Sequence, residues 1–180
     1  VTRPAARAGL SFESDLVDRI LDETGDSPGS LALMAYALNR LFSARTAENS
    51  LGFKAYEAFG GVRGAIATVA DEAFAKVSGA AREALPATFR ELVQVDPMTG
   101  TATRRRAALA RVTTSLQVKE LVDALLAPDV RLLVTSAGTD GEPTLEIAHE
   151  ALLTEWGTLR DWIDTARNDL TRSEEHTSEL

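Results

Sequence analysis

The chain has 180 residues, 44% of them hydrophobic, no cysteine and a formal net charge of −8. Without cysteine it can form neither a disulfide framework nor a thiolate metal site. No apolar run approaches the length of a membrane span and no signal peptide opens the chain, so we expect a cytoplasmic protein without a membrane segment. The acidic balance argues against non-specific binding to nucleic acid.

Both ends of the chain lead us to expect a fragment of a longer protein. It begins at Val1 rather than at a methionine. At the other end, residues 172–180 read RSEEHTSEL, which resembles the translation of a common sequencing-library adapter, so we expect a non-native tail there. Without this tail the chain contains one histidine, His149. Abundant alanine and an excess of arginine over lysine are typical of a GC-rich bacterial genome.

Amphipathic helical patterns dominate the first half of the chain. One run covers residues 16–24 and ends at Gly25, and a largely apolar helix then reaches residue 42, opened by the Ser-Pro-Gly run at 27–29. The small polar residues of 43–52 predict a loop. Further helices are expected over residues 53–59, 62–77 and 81–95.

The second half alternates short helices with strand-like runs. A turn at 96–100 precedes a short strand at 101–106, and β-type runs at 130–135 and 144–147 flank the turn at 137–142 and predict a hairpin. Helices are expected over residues 107–112, 116–126 and 148–168. Helices packed against a small hairpin fit a winged-helix arrangement, so the predicted fold class is mainly α with a winged-helix domain and a small β-hairpin.

No sequence motif for nucleotide or metal chemistry is complete in this chain. The P-loop pattern G-x-x-x-x-G-K-[ST] does not occur. The glycine-rich run FGGVRGAI at 59–66 lacks the Lys-Ser/Thr pair and a preceding strand, so it predicts a flexible helix entrance. A zinc-protease motif at His149 would need a second histidine where Leu153 stands. No G-x-S-x-G elbow supports a hydrolase, and we expect neither a catalytic residue nor a metal ligand.

Two features keep more than one interpretation. His149 would share a helix face with Leu152, Leu153 and Trp156, which is typical of a core histidine with one satisfied hydrogen bond. The alternative is a sensor for a ligand that a neighbouring domain holds. The run of three arginines at 104–106 suits contact with nucleic acid or a solvated strand edge, and the acidic total favours the edge.

Four stretches, taken in order, resemble a known family: YEAFGGVRGAI, TATRRRA, RLLVT and LEIAHEALLTEWGTLRDWI. They are similar to the region after the nucleotide-binding domain in bacterial STAND-type NTPases, the NACHT- and NB-ARC-like proteins, especially those with downstream WD40 repeats. The likeness covers residues 9–170, and AHEALLTEW followed by LRDWI is its most specific part.

The resemblance implies a helical lid over residues 1–50 and a winged-helix domain over residues 51–171. In such proteins ADP holds the switch closed, and exchange for ATP with an input signal opens it. Related NB-ARC proteins carry a Met-His-Asp triplet whose histidine contacts the ADP β-phosphate. Ala148-His149-Glu150 is similar to that triplet, so the resemblance implies that His149 senses the nucleotide phosphate.

The resemblance also implies cofactors and partners. ADP or ATP with Mg would be bound by an upstream P-loop domain, so the fragment alone would bind no cofactor and catalyse nothing, while the parent chain would be an ATPase. The partners would be that P-loop domain and a downstream repeat domain of the same chain, with oligomerisation of the parent on activation.

One departure from the family and two other functions belong beside this reading. NB-ARC lids carry Gly-Leu-Pro-Leu with the proline near the base, whereas Ala32 stands at that place here, so no base contact is expected from this segment. The alternatives are a DNA-binding winged-helix regulator, led by the arginines at 104–106, and a structural or interaction module in which His149 is inert core.

Overall fold

The computed structural model describes residues 1–25, 30–96, 98–138 and 141–178, with the backbone alone at residues 30, 32 and 169–178. Helix accounts for 58% and strand for 14%, so the predicted mainly helical class is confirmed. Helices α1 to α6 are Thr2–Arg7, Leu16–Thr24, Ser30–Ser43, Phe53–Ala58, Gly61–Lys76 and Gly79–Glu83. Helices α7 to α11 are Leu85–Leu92, Leu109–Val112, Leu116–Leu126, Leu152–Glu155 and Gly157–Ser178.

The strands of the described residues form three small sheets. Strands β1 to β7 are Ser11–Phe12, Ser50–Leu51, Val93–Val95, Ala102–Arg104, Ala107–Ala108, Leu133–Ala137 and Pro143–Ile147. β1 pairs with β2 in parallel, and β3 pairs with β4 in antiparallel. The third sheet is antiparallel with the order β5-β7-β6, and β6 and β7 form the predicted hairpin in the register Leu133 to Ile147.

Helix α5 is the element against which much of the chain packs. Its buried residues include Val62, Ala65, Ile66, Val69 and Ala73, which recur at spacings of three and four as an apolar helix face requires. α5 contacts α2, α3 and α4 as well as α9 and α10. The buried apolar residues consequently form one connected core that extends along the chain from Leu16 to Ile163.

The glycine-rich run at 59–66 forms a tight connection between α4 and α5 rather than a phosphate loop. Gly60 and Gly61 have φ of 78° and 66°, a left-handed conformation that favours glycine. A Cβ on Gly61 would lie 2.6 Å from Oε2 of Glu23. A Cβ on Gly64 would lie 2.1 Å from the carbonyl oxygen of Phe59. The prediction of a helix entrance is thus confirmed, and the glycines are there because the backbones and Glu23 approach closely.

Several predicted boundaries are wrong because strand pairing outweighs a continued helical pattern. The helix expected over 81–95 is interrupted at Ala84, and its last three residues form β3, which pairs with β4 across the turn at 96–100. The helix expected over 107–112 loses Ala107 and Ala108 to β5, which pairs with β7. Ser50 and Leu51, expected in a loop, pair with β1. The strand expected over 130–135 begins only at Leu133.

The last predicted helix, over 148–168, is also wrong at its start. The Ala148 N–H donates to the Leu132 carbonyl at 3.0 Å and continues the sheet, so the helical turns begin only at α10. Trp156 then adopts an extended conformation with ψ of 105° and separates α10 from α11. The helix opening expected at 27–29 lies outside the described residues, as does the side chain of Ala32. Among the described residues, no helix combines the length and apolar character needed to cross a membrane.

Candidate functional site around His149

His149 lies in the turn that connects β7 to α10, not on the helix face predicted from its spacing. Its side chain is 6% exposed and its Nε2 atom is buried. Its carbonyl oxygen accepts a hydrogen bond from the Leu152 N–H at 3.0 Å, which begins the first turn of α10. Ile147, Ala148 and Leu152 around it are fully buried. The turn is therefore anchored in the core on both sides of the histidine, and Glu150 beside it is exposed.

Arg104 holds the backbone directly before His149. Its Nη1 atom donates to the carbonyl oxygens of Ile147 at 3.2 Å and Ala148 at 3.3 Å. The arginine comes from the end of β4, more than forty residues earlier in the chain, so no local pattern in the sequence indicates this contact. The first arginine of the basic run is thus joined to the candidate sensor turn.

The other two arginines of the run also bind the protein itself. Arg105 donates from Nε to the Glu91 carbonyl and from Nη2 to the Arg90 carbonyl, both at 3.0 Å, at the end of α7. Arg106 bonds the Glu146 carboxylate on β7 through Nε and Nη2, at 3.3 and 3.0 Å. Of the two interpretations of this run, the strand edge is closer to the structure, and its guanidinium groups join β4 and β5 to their neighbours.

Trp156 anchors the segment that follows His149. The indole is fully buried, and its Nε1 donates to Oδ1 of Asp71 on α5 at 2.9 Å. Its ring meets Phe74 and Phe89 edge to face, with centroids 5.4 and 5.9 Å apart. The tryptophan of the AHEALLTEW stretch therefore fixes α10 against α5 and α7, and Asp71 is a partner that the sequence analysis missed.

A second polar cluster joins α2 to the start of α5. Oε2 of Glu23 accepts from the Tyr56 hydroxyl at 2.7 Å and from the Val62 N–H at 3.3 Å. Burial and the hydrogen bond to the Glu23 carboxylate raise the pKa of Tyr56, so its hydroxyl stays protonated and keeps donating. A cavity of about 290 Å³ borders this cluster and is lined also by Arg19 and Phe53. Because Glu23 already takes the first free N–H of α5, this helix start is not open to a phosphate.

The chemistry available around His149 is that of hydrogen bonding. An imidazole can donate an N–H to a phosphate oxygen, more strongly when it is protonated. In the part of the chain that the structure describes, no three or more His, Asp or Glu side chains gather where they could hold a metal ion. The site thus offers an imidazole donor on a backbone held by a guanidinium group.

Comparison with protein families identifies the class of this chain. A family model described as Novel STAND NTPase 1 (nSTAND1) matches residues 1–179. The class is therefore that of the STAND NTPases, and within it the chain belongs to the nSTAND1 family. The predicted STAND-type relationship is confirmed, and membership implies nucleotide binding by the full-length protein. No curated protein and no solved structure is significantly similar to the chain. The origin of residues 172–180 stays a prediction.

Proposed function

We propose that this chain is the regulatory part of a STAND-type signal-transduction NTPase. In the proposal, residues 1–50 form a lid and residues 51–171 a winged-helix domain. Together they couple the ADP or ATP state of an upstream P-loop domain, which binds the nucleotide with Mg, to downstream sensor repeats in the cytoplasm. The parent is an ATPase that oligomerises on activation, and this part of it does no catalysis itself.

The observation that carries this proposal is the family match over nearly the whole chain, combined with the place of His149 in the fold. The sheet order β5-β7-β6, with α8 and α9 between β5 and β6, has the strand arrangement expected of a winged helix. α7 and α8 pack against β7, and α9 packs against β6. The Ala148-His149-Glu150 triplet follows directly after β7, where a short turn presents it beside the hairpin.

The coupling is proposed to pass through α5. The Val62 N–H at its start is bound by Glu23 of the lid, and Asp71 nine residues on is bound by Trp156 seven residues after His149. A 16-residue helix behaves as a rigid element. A displacement of the His149 turn would therefore move α5 and, through it, the lid. Because a ligand shifts a conformational equilibrium only through differential contacts, a contact between His149 and ADP would favour the closed state.

The test is the affinity of the full-length protein for ADP. His149→Ala removes the imidazole donor, and His149→Gln keeps an N–H donor of different geometry. A hydrogen bond to a charged group contributes about 1.5–3 kcal/mol, so His149→Ala should weaken ADP binding roughly 10- to 100-fold, with a smaller loss for the glutamine variant. Calorimetric titration gives the affinity and thermal unfolding gives the stability of the same sample.

Thr88→Ala is the matched control because Thr88 and His149 are the buried polar residues among those described. The Thr88 hydroxyl bonds the Ala84 carbonyl within α7 at 3.0 Å. Its loss should lower stability without changing ADP affinity. If His149→Ala behaves in the same way as Thr88→Ala, the sensor role is refuted.

A structural role for His149 is the competing function, and the burial of its ring is the observation that favours it. Under this alternative the substitutions lower stability alone. The DNA-binding alternative has less support, because all three arginines at 104–106 bond other groups of the protein. It predicts salt-sensitive DNA binding by the 180-residue chain, and a titration of duplex DNA at two salt concentrations decides the matter.

A further inference from the structure

We propose that Arg104 is a positioning residue for His149: it sets the place of the imidazole without touching the nucleotide. The inference rests on the proposed function only for its consequence, the retention of ADP. Its structural part concerns the backbone of the turn between β7 and α10 and can be tested on the chain alone.

The end of β7 leaves two carbonyl groups without a neighbouring strand on one side. β5 pairs with β7 only at Leu145 and Thr144, so the backbone ladder on that side stops before Ile147. Buried carbonyl groups require a donor. Nη1 of Arg104 carries two hydrogens and bonds the carbonyl oxygens of both Ile147 and Ala148. The guanidinium thereby replaces the missing strand at the end of the sheet.

These two carbonyl groups determine the direction in which the chain enters His149. Each peptide group is planar, so the carbonyl of Ala148 is rigidly joined to the backbone nitrogen of His149. The next peptide group back is held twice, at the Ile147 carbonyl by Arg104 and at the Ala148 N–H by the Leu132 carbonyl, 3.0 Å away. A rotation of either plane would swing the Cα–Cβ bond of His149. Arg104 therefore acts on the histidine through the backbone.

Arg104 is itself held by an element that belongs to a different part of the domain. It pairs with Val93 in the β3–β4 ladder, and β3 continues directly from α7. The N–H of the next residue, Arg105, donates to the Leu92 carbonyl at the end of α7 at 2.7 Å. A shift of α7 would thus reach His149 through the arginine, a connection that no local sequence motif indicates.

The neighbouring residue offers a matched control. Arg105 is also an arginine, and it also donates to two backbone carbonyls, those of Arg90 and Glu91. Arg105→Ala removes the same charge and the same number of carbonyl contacts as Arg104→Ala. It does so at α7 rather than before His149, so a general loss of charge or of stability affects both variants.

The first experiment uses the 180-residue chain and nuclear magnetic resonance of the histidine ring and backbone amide of residue 149. The signals of His149 are assigned with His149→Gln. Arg104→Ala should displace them, Arg104→Lys should return them part of the way, and Arg105→Ala should leave them in place. Unchanged His149 signals in folded Arg104→Ala would overturn the positioning role, whatever the nucleotide does.

The second experiment measures the ADP dissociation rate of the full-length protein. Arg104→Ala should raise the rate about tenfold, which corresponds to about 1.4 kcal/mol, and Arg104→Lys should recover part of the loss. In a His149→Gln background the same substitution should add little, because residues that act through one another are not additive. Equal effects in both backgrounds would overturn the inference, since Arg104 would then act independently of His149.

The two proposals fail in different ways. If His149→Gln leaves ADP release unchanged, the sensor function falls, and displaced His149 signals in Arg104→Ala still support the positioning of the turn. If His149→Gln speeds release but Arg104→Ala neither moves the His149 signals nor speeds release, the sensor stands and the positioning role falls.

Discussion

Replacing Trp156 with phenylalanine tests whether the stretch after His149 is an anchor that holds α10 on the rest of the domain. The substitution removes the indole N–H that donates to Asp71 and shortens a ring that meets Phe74 and Phe89 edge to face. A phenylalanine ring fills most of the same fully buried space. The expected loss therefore has two parts, the hydrogen bond and the ring contacts.

The magnitude follows from these contacts. A hydrogen bond to a carboxylate contributes about 1.5–3 kcal/mol, but Asp71 is exposed, so about 1 kcal/mol is the appropriate value. Each edge-to-face pair contributes about 0.5–1.5 kcal/mol beyond burial, and the smaller ring keeps part of both. We expect Trp156→Phe to lower the free energy of unfolding by about 2–4 kcal/mol.

The assay is urea unfolding followed by far-ultraviolet circular dichroism, analysed as a two-state transition. Trp162→Phe is the control, since Trp162 is only partly buried and should cost much less. In a double-mutant cycle, Trp156→Phe and Asp71→Ala should show a coupling of about 1 kcal/mol. A loss below about 0.5 kcal/mol, or a coupling of zero, would refute the anchoring role.

Three further substitutions test other parts of the fold. Gly64→Ala should destabilise the chain by about 2–4 kcal/mol in urea unfolding, because its Cβ would lie 2.1 Å from a carbonyl oxygen at the end of α4. Tyr56→Phe should cost about 1–2 kcal/mol in the same assay, since it removes the hydroxyl that donates to Glu23. Glu120→Gln should lose its effect on the melting temperature in acid. The Ser78 N–H, 2.7 Å from the Glu120 carboxylate, lowers the pKa of that carboxyl below its usual 4.5.

The sign of the pH effect follows from the lowered pKa. Ionised Glu120 is stabilised in the folded state, so its contribution is full above pH 4.5 and is lost as the pH falls through the lower folded value. A difference between wild type and Glu120→Gln that persists unchanged down to pH 3 would contradict this. Gly79→Ala, whose Cβ would meet no atom within 4 Å, should be nearly neutral. An equal loss for both glycine variants would contradict the steric argument, and an unaltered Tyr56→Phe would contradict the Glu23 contact.

Helices with a clear apolar period and a local start signal could be predicted from the sequence. α9 covers the predicted 116–126 because its apolar residues recur at helical spacing and the Ser115 hydroxyl caps its start by accepting from the Val118 N–H. The β6–β7 hairpin was also predictable from two strand-like runs around a polar turn. In these elements, the information that determines the structure lies within a few residues.

Elements that depend on distant pairing could not be predicted in the same way. Val93 and Val95 continue the helical spacing of α7, and only their pairing with β4 makes them a strand. The same holds for His149, which was predicted in a helix because Leu152, Leu153 and Trp156 follow at helical spacing. The sheet bond of Ala148 and the extended backbone at Trp156 keep it outside.

The supporting contacts of the candidate site are likewise set by the fold. Arg104 reaches carbonyl groups more than forty residues away, and Glu23 meets Tyr56 across thirty-three positions. An arginine in a basic run and a glutamate on an exposed helix have many uses, so their residue types alone do not indicate these partners. The sequence could therefore point to His149 but not to the residues that hold its turn in place.

Hydrogen–deuterium exchange of the full-length protein, with and without ADP, tests the central claim most directly. The account predicts that ADP slows exchange of the backbone amides in residues 146–156 and that His149→Gln removes this protection, while α9 exchanges at the same rate in both states. Unchanged exchange in 146–156, under conditions in which ADP is shown to be bound, would contradict the claim that His149 senses the nucleotide.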